Sequence, residues 1–274
     1  MRVVFIGGGN MATALISGLF KAGWSKDDVA VVEPNETQQK LLSERFGLAI
    51  YDPSRLVFSA DDCIVWAVKP QHLKEAAKSL FPRAQAALHV SIAAGLRAPL
   101  LARWFGTNRV IRAMPNSAAT VGCGVTGLFA LDAVTESDRD FANSFFKPTG
   151  DLHWVDSDDR IDALTAVSGS GPAYVFHFLE SFQSAAEDLG FDSETARELT
   201  LQTAYGAIKQ IQDGDDSDSV STLRSKVTSA KGTTEAALGI LAHRKTSAAL
   251  VEAVHEAYTR AAEIANEWDS SSKA

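Results

Sequence analysis

The chain opens on an unbroken apolar run, Arg2-Val3-Val4-Phe5-Ile6, and runs of the same kind recur through its first half at residues 29–32, 63–68, 88–92 and 109–114. Short β-branched runs without polar alternation suit strands covered on both faces, as in a parallel sheet. Between them the apolar positions fall at helical spacing: Met11, Leu15, Ile16 and Leu19; then Leu41, Leu42 and Phe46 before a stop at Gly47; then Leu73, Ala76, Ala77 and Leu80. Residues 127–129 and 153–155 extend the strand series, with a helix near 137–146 between them. The alternation predicts an α/β fold, a Rossmann-like doubly wound sheet.

After Asp156-Ser157-Asp158-Asp159 the strand pattern stops. A helix begins over residues 162–167, Ser168-Gly169-Ser170-Gly171-Pro172 interrupts it, and Pro172 is placed to start the next helix. That helix carries Ala173-Tyr174-Val175-Phe176-His177-Phe178-Leu179, apolar nearly all round. Such a helix is expected to be buried on every side, and in a domain this small that implies a partner subunit. His177 then reads as a core or interface histidine. Long helices follow near 193–213 and 247–268, and the polar tail 269–274 is expected to fray. Two domains are predicted: an α/β domain over residues 1–156 and an all-α helical dimerisation domain over 157–274.

Composition narrows the function. With 46% hydrophobic and 22% charged residues in 274, the chain is globular, and a formal charge of -8 with no basic block argues against nucleic-acid binding. No apolar run approaches the roughly 20 residues needed to span a bilayer. Cys63 and Cys123 stand far apart, with no cluster suggesting a metal, and the N-terminus lacks a signal-peptide layout. A reducing, cytoplasmic location is expected.

Candidate chemistry sits at two places. Gly7-Gly8-Gly9-Asn10-Met11-Ala12 lies between a strand and a helix, the context that gives a GxGxxG/A pattern meaning. Gly7 permits a tight turn, Gly9 a close approach to a pyrophosphate, and Ala12 close helix–strand packing. Glu33 follows the second strand, where an acidic residue grips an adenosine ribose; otherwise it is an ordinary exposed strand-end glutamate. Asn35 and Gln38 read as a helix N-cap and its capping partner. In open sheets ligands bind beyond the carboxyl ends of the strands, which puts the glycine loop, Glu33, Lys69-Pro70, Ala93-Ala94 and Pro115-Asn116 along one crevice. The second place is residues 227–238, a small-residue turn running into a helix. Free N–H groups at a helix start suit a small anion such as a carboxylate. Its hydroxyls can cap the helix or hold a polar ligand, and the pattern alone favours the cap.

Taken together, these motifs resemble the Δ1-pyrroline-5-carboxylate reductase family over essentially the whole chain. FIGGGNMA at 5–12, AVKP at 67–70, SIAAG at 91–95 and RAMPN at 112–116 carry part of the resemblance. LTAVSGSGPAYVF at 164–176 and VTSAKGTT at 227–234 are more specific. The resemblance implies reduction of the cyclic imine to L-proline with NADH or NADPH, the last step of proline biosynthesis, by a homodimer with intertwined helical domains that often assembles into a decamer. It implies that Ile6, Gly7, Gly8, Gly9, Asn10 and Met11 wrap the pyrophosphate and that Glu33 sits at the ribose. Ala67, Val68, Lys69, Pro70, Ile92, Ala93 and Ala94 would line the cofactor towards its nicotinamide, and Lys226 would approach it from the helical domain. Substrate binding falls on Ser229, Gly232, Thr233 and Thr234, with Thr234 bonding the ring nitrogen as the catalytic residue. No metal is implied.

Departures from the family pattern are Ala230 and Lys231 in place of proline and glycine, Ala118 in place of proline, and Ser219-Val220 near the usual His-Pro pair. A lost proline should loosen the turn, and Lys231 is expected to aid anion capture. A carboxylate at Glu33 would repel a 2′-phosphate at roughly 4 Å by about 4 kcal/mol per unit charge at an intermediate dielectric, so NADH is the expected preference. A β-hydroxyacid dehydrogenase would need a catalytic lysine where this chain has Val175. A reductase for another cyclic imine, or a catalytically silent dinucleotide-binding regulator, remains as an alternative.

Overall fold

A computed structural model of the chain describes residues 1–215 and 217–271. Its strands are β1 (Arg2–Ile6), β2 (Val29–Val32), β3 (Asp62–Trp66), β4 (Leu88–Ser91), β5 (Val110–Pro115), β6 (Gly124–Ala130) and β7 (Gly150–Trp154). They form one sheet in the order β2-β1-β3-β4-β5-β6-β7. β1 to β5 pair in parallel, β6 is antiparallel to β5, and β7 is parallel to β6. The reversal at β6 has a simple cause. Only residues 116–123 link it to β5, too few for the crossover that a parallel strand needs.

Both faces are covered, which is why the early strands are apolar without alternation. On one face Phe5, Val65 and Val90 pack with Leu15, Ile16 and Leu19 of α1 (Asn10–Lys21), Leu42 of α2 (Glu36–Phe46), and Phe145 and Phe146 of α5 (Glu136–Phe146). On the other, Ile6, Val32 and Trp66 pack with Leu73 and Leu80 of α3 (Pro70–Leu80) and Leu100, Leu101 and Phe105 of α4 (Ala98–Phe105). The sheet is the doubly wound one that the sequence predicts. β3 is shorter than expected, so Ala67 and Val68 already lie beyond its carboxyl end.

The chain divides into two compact units, Met1–Ser170 with Ala257–Ala274, and Gly171–Glu256. α6 (Asp158–Leu164) therefore lies with the sheet. Arg112 of β5, 2% exposed, bonds Asp158 at 2.7 Å and Asp162 at 2.6 Å. Asp158 also accepts the N–H of Ala98 at the start of α4 (3.0 Å). Residues 168–172 do not simply break the helix. α6 passes into a wider π-helical turn, Thr165–Gly169, and α7 (Gly171–Asp188) starts after Ser170. The Thr165 and Ser168 hydroxyls donate back to the Ile161 and Leu164 carbonyls, at 2.8 and 3.0 Å, bonds that small hydroxyl residues can make inside a distorted helix.

The second unit holds α7, α8 (Ser193–Gln212), α9 (Val220–Lys226), α10 (Thr233–His243) and the start of α11 (Thr246–Ser271). The expected burial of α7 is absent in the single chain. Val175, Phe176 and Phe178 are more than half exposed, and His177 is exposed with them. Among the described residues of this unit only Ala196 and Thr200 are buried. Helices this apolar, left open in one chain, are faces for a partner. The expected frayed tail is helical as far as Ser271; residues 272–274 lie outside the described residues. Among the described residues no helix is long and apolar enough to cross a membrane.

Candidate functional site

The carboxyl ends of the central strands are in register: Ile6 pairs with Val32 and Trp66, and Trp66 with Ser91. The residues that follow each strand therefore share one edge. Gly7–Asn10, Glu33, Ala67–Pro70 and Ile92–Ala94 come from four separate stretches of sequence, and the sheet brings them together. Pro70 opens α3, leaving Lys69 at its N-cap, and Gly95 closes the β4 turn at φ 75°, where a β-carbon would lie 2.6 Å from Ile264 of α11.

The glycine loop suits a dinucleotide phosphate. Gly7 has φ 99°, and a β-carbon there would stand 2.8 Å from the Ala67 carbonyl oxygen. At Gly8 it would meet Leu42 at 2.5 Å, whereas at exposed Gly9 it would have nothing within 4 Å. Gly9 is the N-cap of α1 and supplies no side chain, and the first turn of α1 holds no acid. Open space at the third glycine and uncapped N–H groups make a cradle for an anion. Glu33 lies beside this loop, with Oε2 accepting the Gly8 N–H at 2.7 Å and Oε1 the Asn35 N–H at 2.8 Å. The Asn35 side chain caps α2 through the Gln38 N–H (3.0 Å), as expected. Gln38 does not return the bond to Asn35. Its amide donates to the Gly8 carbonyl oxygen.

In the second unit, Ser229, Gly232, Thr233 and Thr234 form one turn at the start of α10. The expected hydroxyl cap is not made: Gly232 is the N-cap, without a side-chain bond. A β-carbon at Gly232 would be 2.5 Å from the Ser229 hydroxyl and 3.0 Å from the Ser229 carbonyl oxygen, so a larger residue there would require the turn to shift. Lys231 has φ 57°, a left-handed conformation that an L-residue adopts at a cost of roughly 1–2 kcal/mol. Its N–H donates to Glu235 Oε2 at 2.7 Å. Thr228 is occupied, donating to the Arg224 carbonyl at 2.6 Å. The hydroxyls of Ser229, Thr233 and Thr234 make no hydrogen bond among the described residues. They stand with the first N–H groups of α10, a concentration of donors suited to a carboxylate. Lys226, on the end of α9, pairs with Asp218 at 2.5 Å within the same unit.

Other reactive groups are occupied elsewhere. Burial pushes the Cys63 thiol far above its usual range, with the Asp138 charge adding to it. Burial pulls His89 down to about 4, and the ring is held between the Trp66 indole N–H and the Ala84 carbonyl, at 3.0 and 2.9 Å. Asn116, expected along the crevice, is 8% exposed. Its amide is spent joining the Ser168 carbonyl (2.9 Å) to the Val125 N–H (3.1 Å). Sequence reasoning missed the bonds of Glu235 and Gln38. A glutamate two residues after Gly232-Thr233 was the available sign for the first; for the second, nothing in the local pattern distinguishes a capping side chain from one reaching another loop.

A family profile for pyrroline-5-carboxylate reductase dimerisation matches residues 158–264, and one for NADP oxidoreductase, coenzyme F420-dependent, matches residues 2–95. A pyrroline-5-carboxylate reductase of Pseudomonas aeruginosa is 37% identical over 268 residues, covering 97% of each chain. That of Vibrio alginolyticus is 35% identical, covering 96% of this chain and 97% of its own. Among solved structures, a pyrroline-5-carboxylate reductase from Coxiella burnetii matches with a TM-score of 0.85 at 35% identity, covering 96% of this chain and 98% of that one. The Plasmodium falciparum pyrroline carboxylate reductase with NADP bound matches at 0.86 and 27%, covering 97% and 98%.

Proposed function

The chain belongs to the pyrroline-5-carboxylate reductase family, and from that premise we propose how its residues divide the reduction of Δ1-pyrroline-5-carboxylate to L-proline. The glycine loop from Ile6 to Met11 and the N-terminus of α1 hold the pyrophosphate of NADH. Glu33 takes the adenosine ribose hydroxyls, and Ala67, Val68, Lys69, Pro70, Ile92, Ala93 and Ala94 line the path to the nicotinamide. When bound, the nicotinamide supplies hydride to the imine carbon. The C=N electron pair passes to nitrogen, which carries a proton beforehand or receives one.

Ser229, Gly232, Thr233 and Thr234 hold the imine. The N–H groups and free hydroxyls at the start of α10 take its carboxylate, and Thr234 bonds the ring nitrogen, orienting it or relaying the proton. A threonine hydroxyl is a weak acid, so most of the acceleration comes from holding the two reactants in a productive geometry. Exposed Lys231 adds a cation at this turn and assists capture of the carboxylate; Lys226 serves the cofactor. The observation that carries this assignment is the turn itself, where three hydroxyls make no hydrogen bond among the described residues at a helix start whose N-cap is a glycine.

Glu33 sets the preference for NADH. Function divides near residue 156, the part before it binding cofactor and the part after it binding substrate and partner. The open apolar faces of α7 and α8 pair two copies, and further assembly to a decamer follows the family habit. The free thiols of Cys63 and Cys123 accord with a cytoplasmic home. The test is direct: the purified protein, given NADH and Δ1-pyrroline-5-carboxylate, should consume NADH and yield an equal amount of L-proline. Faster turnover of another cyclic imine would reassign the substrate, and NADH binding without turnover would make the chain a sensor.

A further inference from the structure

Gln38 stands at the third position of α2, where a glutamine ordinarily closes a capping box by accepting the N–H of the N-cap residue. Here that N–H, on Asn35, is already taken by Glu33 Oε1 at 2.8 Å. The Gln38 amide is thereby released, and it donates to the Gly8 carbonyl, with the Thr13 hydroxyl 3.4 Å away. Thr13 donates to the same carbonyl at 3.2 Å. Glu33 Oε2 meanwhile holds the Gly8 N–H at 2.7 Å. Gly8 is thus bonded through both its N–H and its carbonyl, from two different elements, while Gly9 beside it stays open.

We propose that Gln38 is a positioning residue for the dinucleotide: with Glu33 it fixes Gly8, so that the glycine loop is set before the cofactor arrives. The inference rests on the reading of this loop as the pyrophosphate site. Fixing the loop in advance spares binding the cost of ordering it. Because the loop is common to both cofactors, Gln38 acts equally on NADH and NADPH, whereas Glu33 discriminates between them.

The experiment compares full-length wild type with Gln38→Leu, which keeps the size and removes the donor, and Gln38→Glu, which sets a carboxylate against a carbonyl. Dissociation constants for NADH and NADPH are measured by fluorescence titration, and amide hydrogen exchange of the loop peptide is followed without cofactor. Gln38→Leu should weaken both cofactors by the same factor, roughly 3- to 10-fold, the loss expected of one hydrogen bond. Gln38→Glu should weaken both further. Loop exchange should quicken in both variants, with the melting temperature falling by no more than about 5 °C, as for the loss of one hydrogen bond. The KM for NADH should rise in Gln38→Leu while kcat at saturating NADH stays within about twofold. Unchanged NADH affinity and loop exchange in Gln38→Leu would overturn the proposal, as would weakening of one cofactor alone. If wild type itself binds neither dinucleotide, the reading of the site fails instead.

Discussion

Replacing Glu33 by glutamine removes one charge and keeps the shape. Two effects follow, and they separate by which cofactor they touch. The carboxylate faces any 2′-phosphate with a repulsion of about 4 kcal/mol at roughly 4 Å and an intermediate dielectric. Glu33 is partly exposed, so solvent screening reduces this to about 1–2 kcal/mol, or roughly 5- to 30-fold. The second effect is on the loop. Both carboxylate oxygens accept N–H bonds, from Gly8 and Asn35, but a glutamine offers one acceptor and would turn its NH2 group towards the other N–H. One bond to the loop region is lost, which weakens NADH and NADPH alike by several-fold. The NADH:NADPH ratio of kcat/KM should therefore fall by about 5- to 30-fold, because the repulsion of NADPH is relieved while the lost loop bond weakens both cofactors equally. Initial rates at cofactor concentrations well below KM give the ratio. An unchanged ratio in Glu33→Gln, or a wild type that uses NADPH as well as NADH, would refute the reasoning.

Two stability predictions follow from buried groups of the first unit. Arg112→Met leaves Asp162, 1% exposed, with only the more distant Arg97 guanidinium at 3.6 Å, at a cost of about 3 kcal/mol; circular-dichroism melts should show a fall of about 10 °C, and a fall under about 3 °C would mean that Arg97 takes over or the cluster hydrates. His89 has its folded-state value lowered to about 4 by burial. The unfolded chain takes up a proton near pH 6.5 that the folded protein refuses until about pH 4. The contribution of this group is therefore complete above pH 6.5 and lost as pH falls through that window. Urea unfolding should show a loss of about 3 kcal/mol that His89→Gln lacks, and parallel pH profiles for the two proteins would contradict the assignment.

The sheet was legible because its strands are buried on both faces and so carry unbroken apolar runs; each expected strand is present within a few residues. The crevice followed from general rules about strand ends, so Glu33 and the residues after β3 and β4 could be placed before any coordinates. What stayed hidden has two causes. Side chains that reach across the fold leave no local trace, as with Gln38 meeting Gly8 or Asn116 tying Ser168 to Val125. The helical unit, for its part, is written for an assembly. The apolar circumference of α7 predicts burial against a partner subunit, and within one chain Phe176 and Phe178 stay open. At residues 227–238 the pattern favours a hydroxyl cap, and the structure instead places a glycine at the N-cap, with the Ser229, Thr233 and Thr234 hydroxyls making no hydrogen bond among the described residues.

The central claim is that this turn holds the imine and that Thr234 acts at its nitrogen. Thr234→Val preserves size and removes the hydroxyl. With Δ1-pyrroline-5-carboxylate as substrate, its kcat/KM should fall about 100-fold through lost orientation of the reacting nitrogen, while the NADH dissociation constant stays at the wild-type value. Wild-type kcat/KM in Thr234→Val would contradict the account.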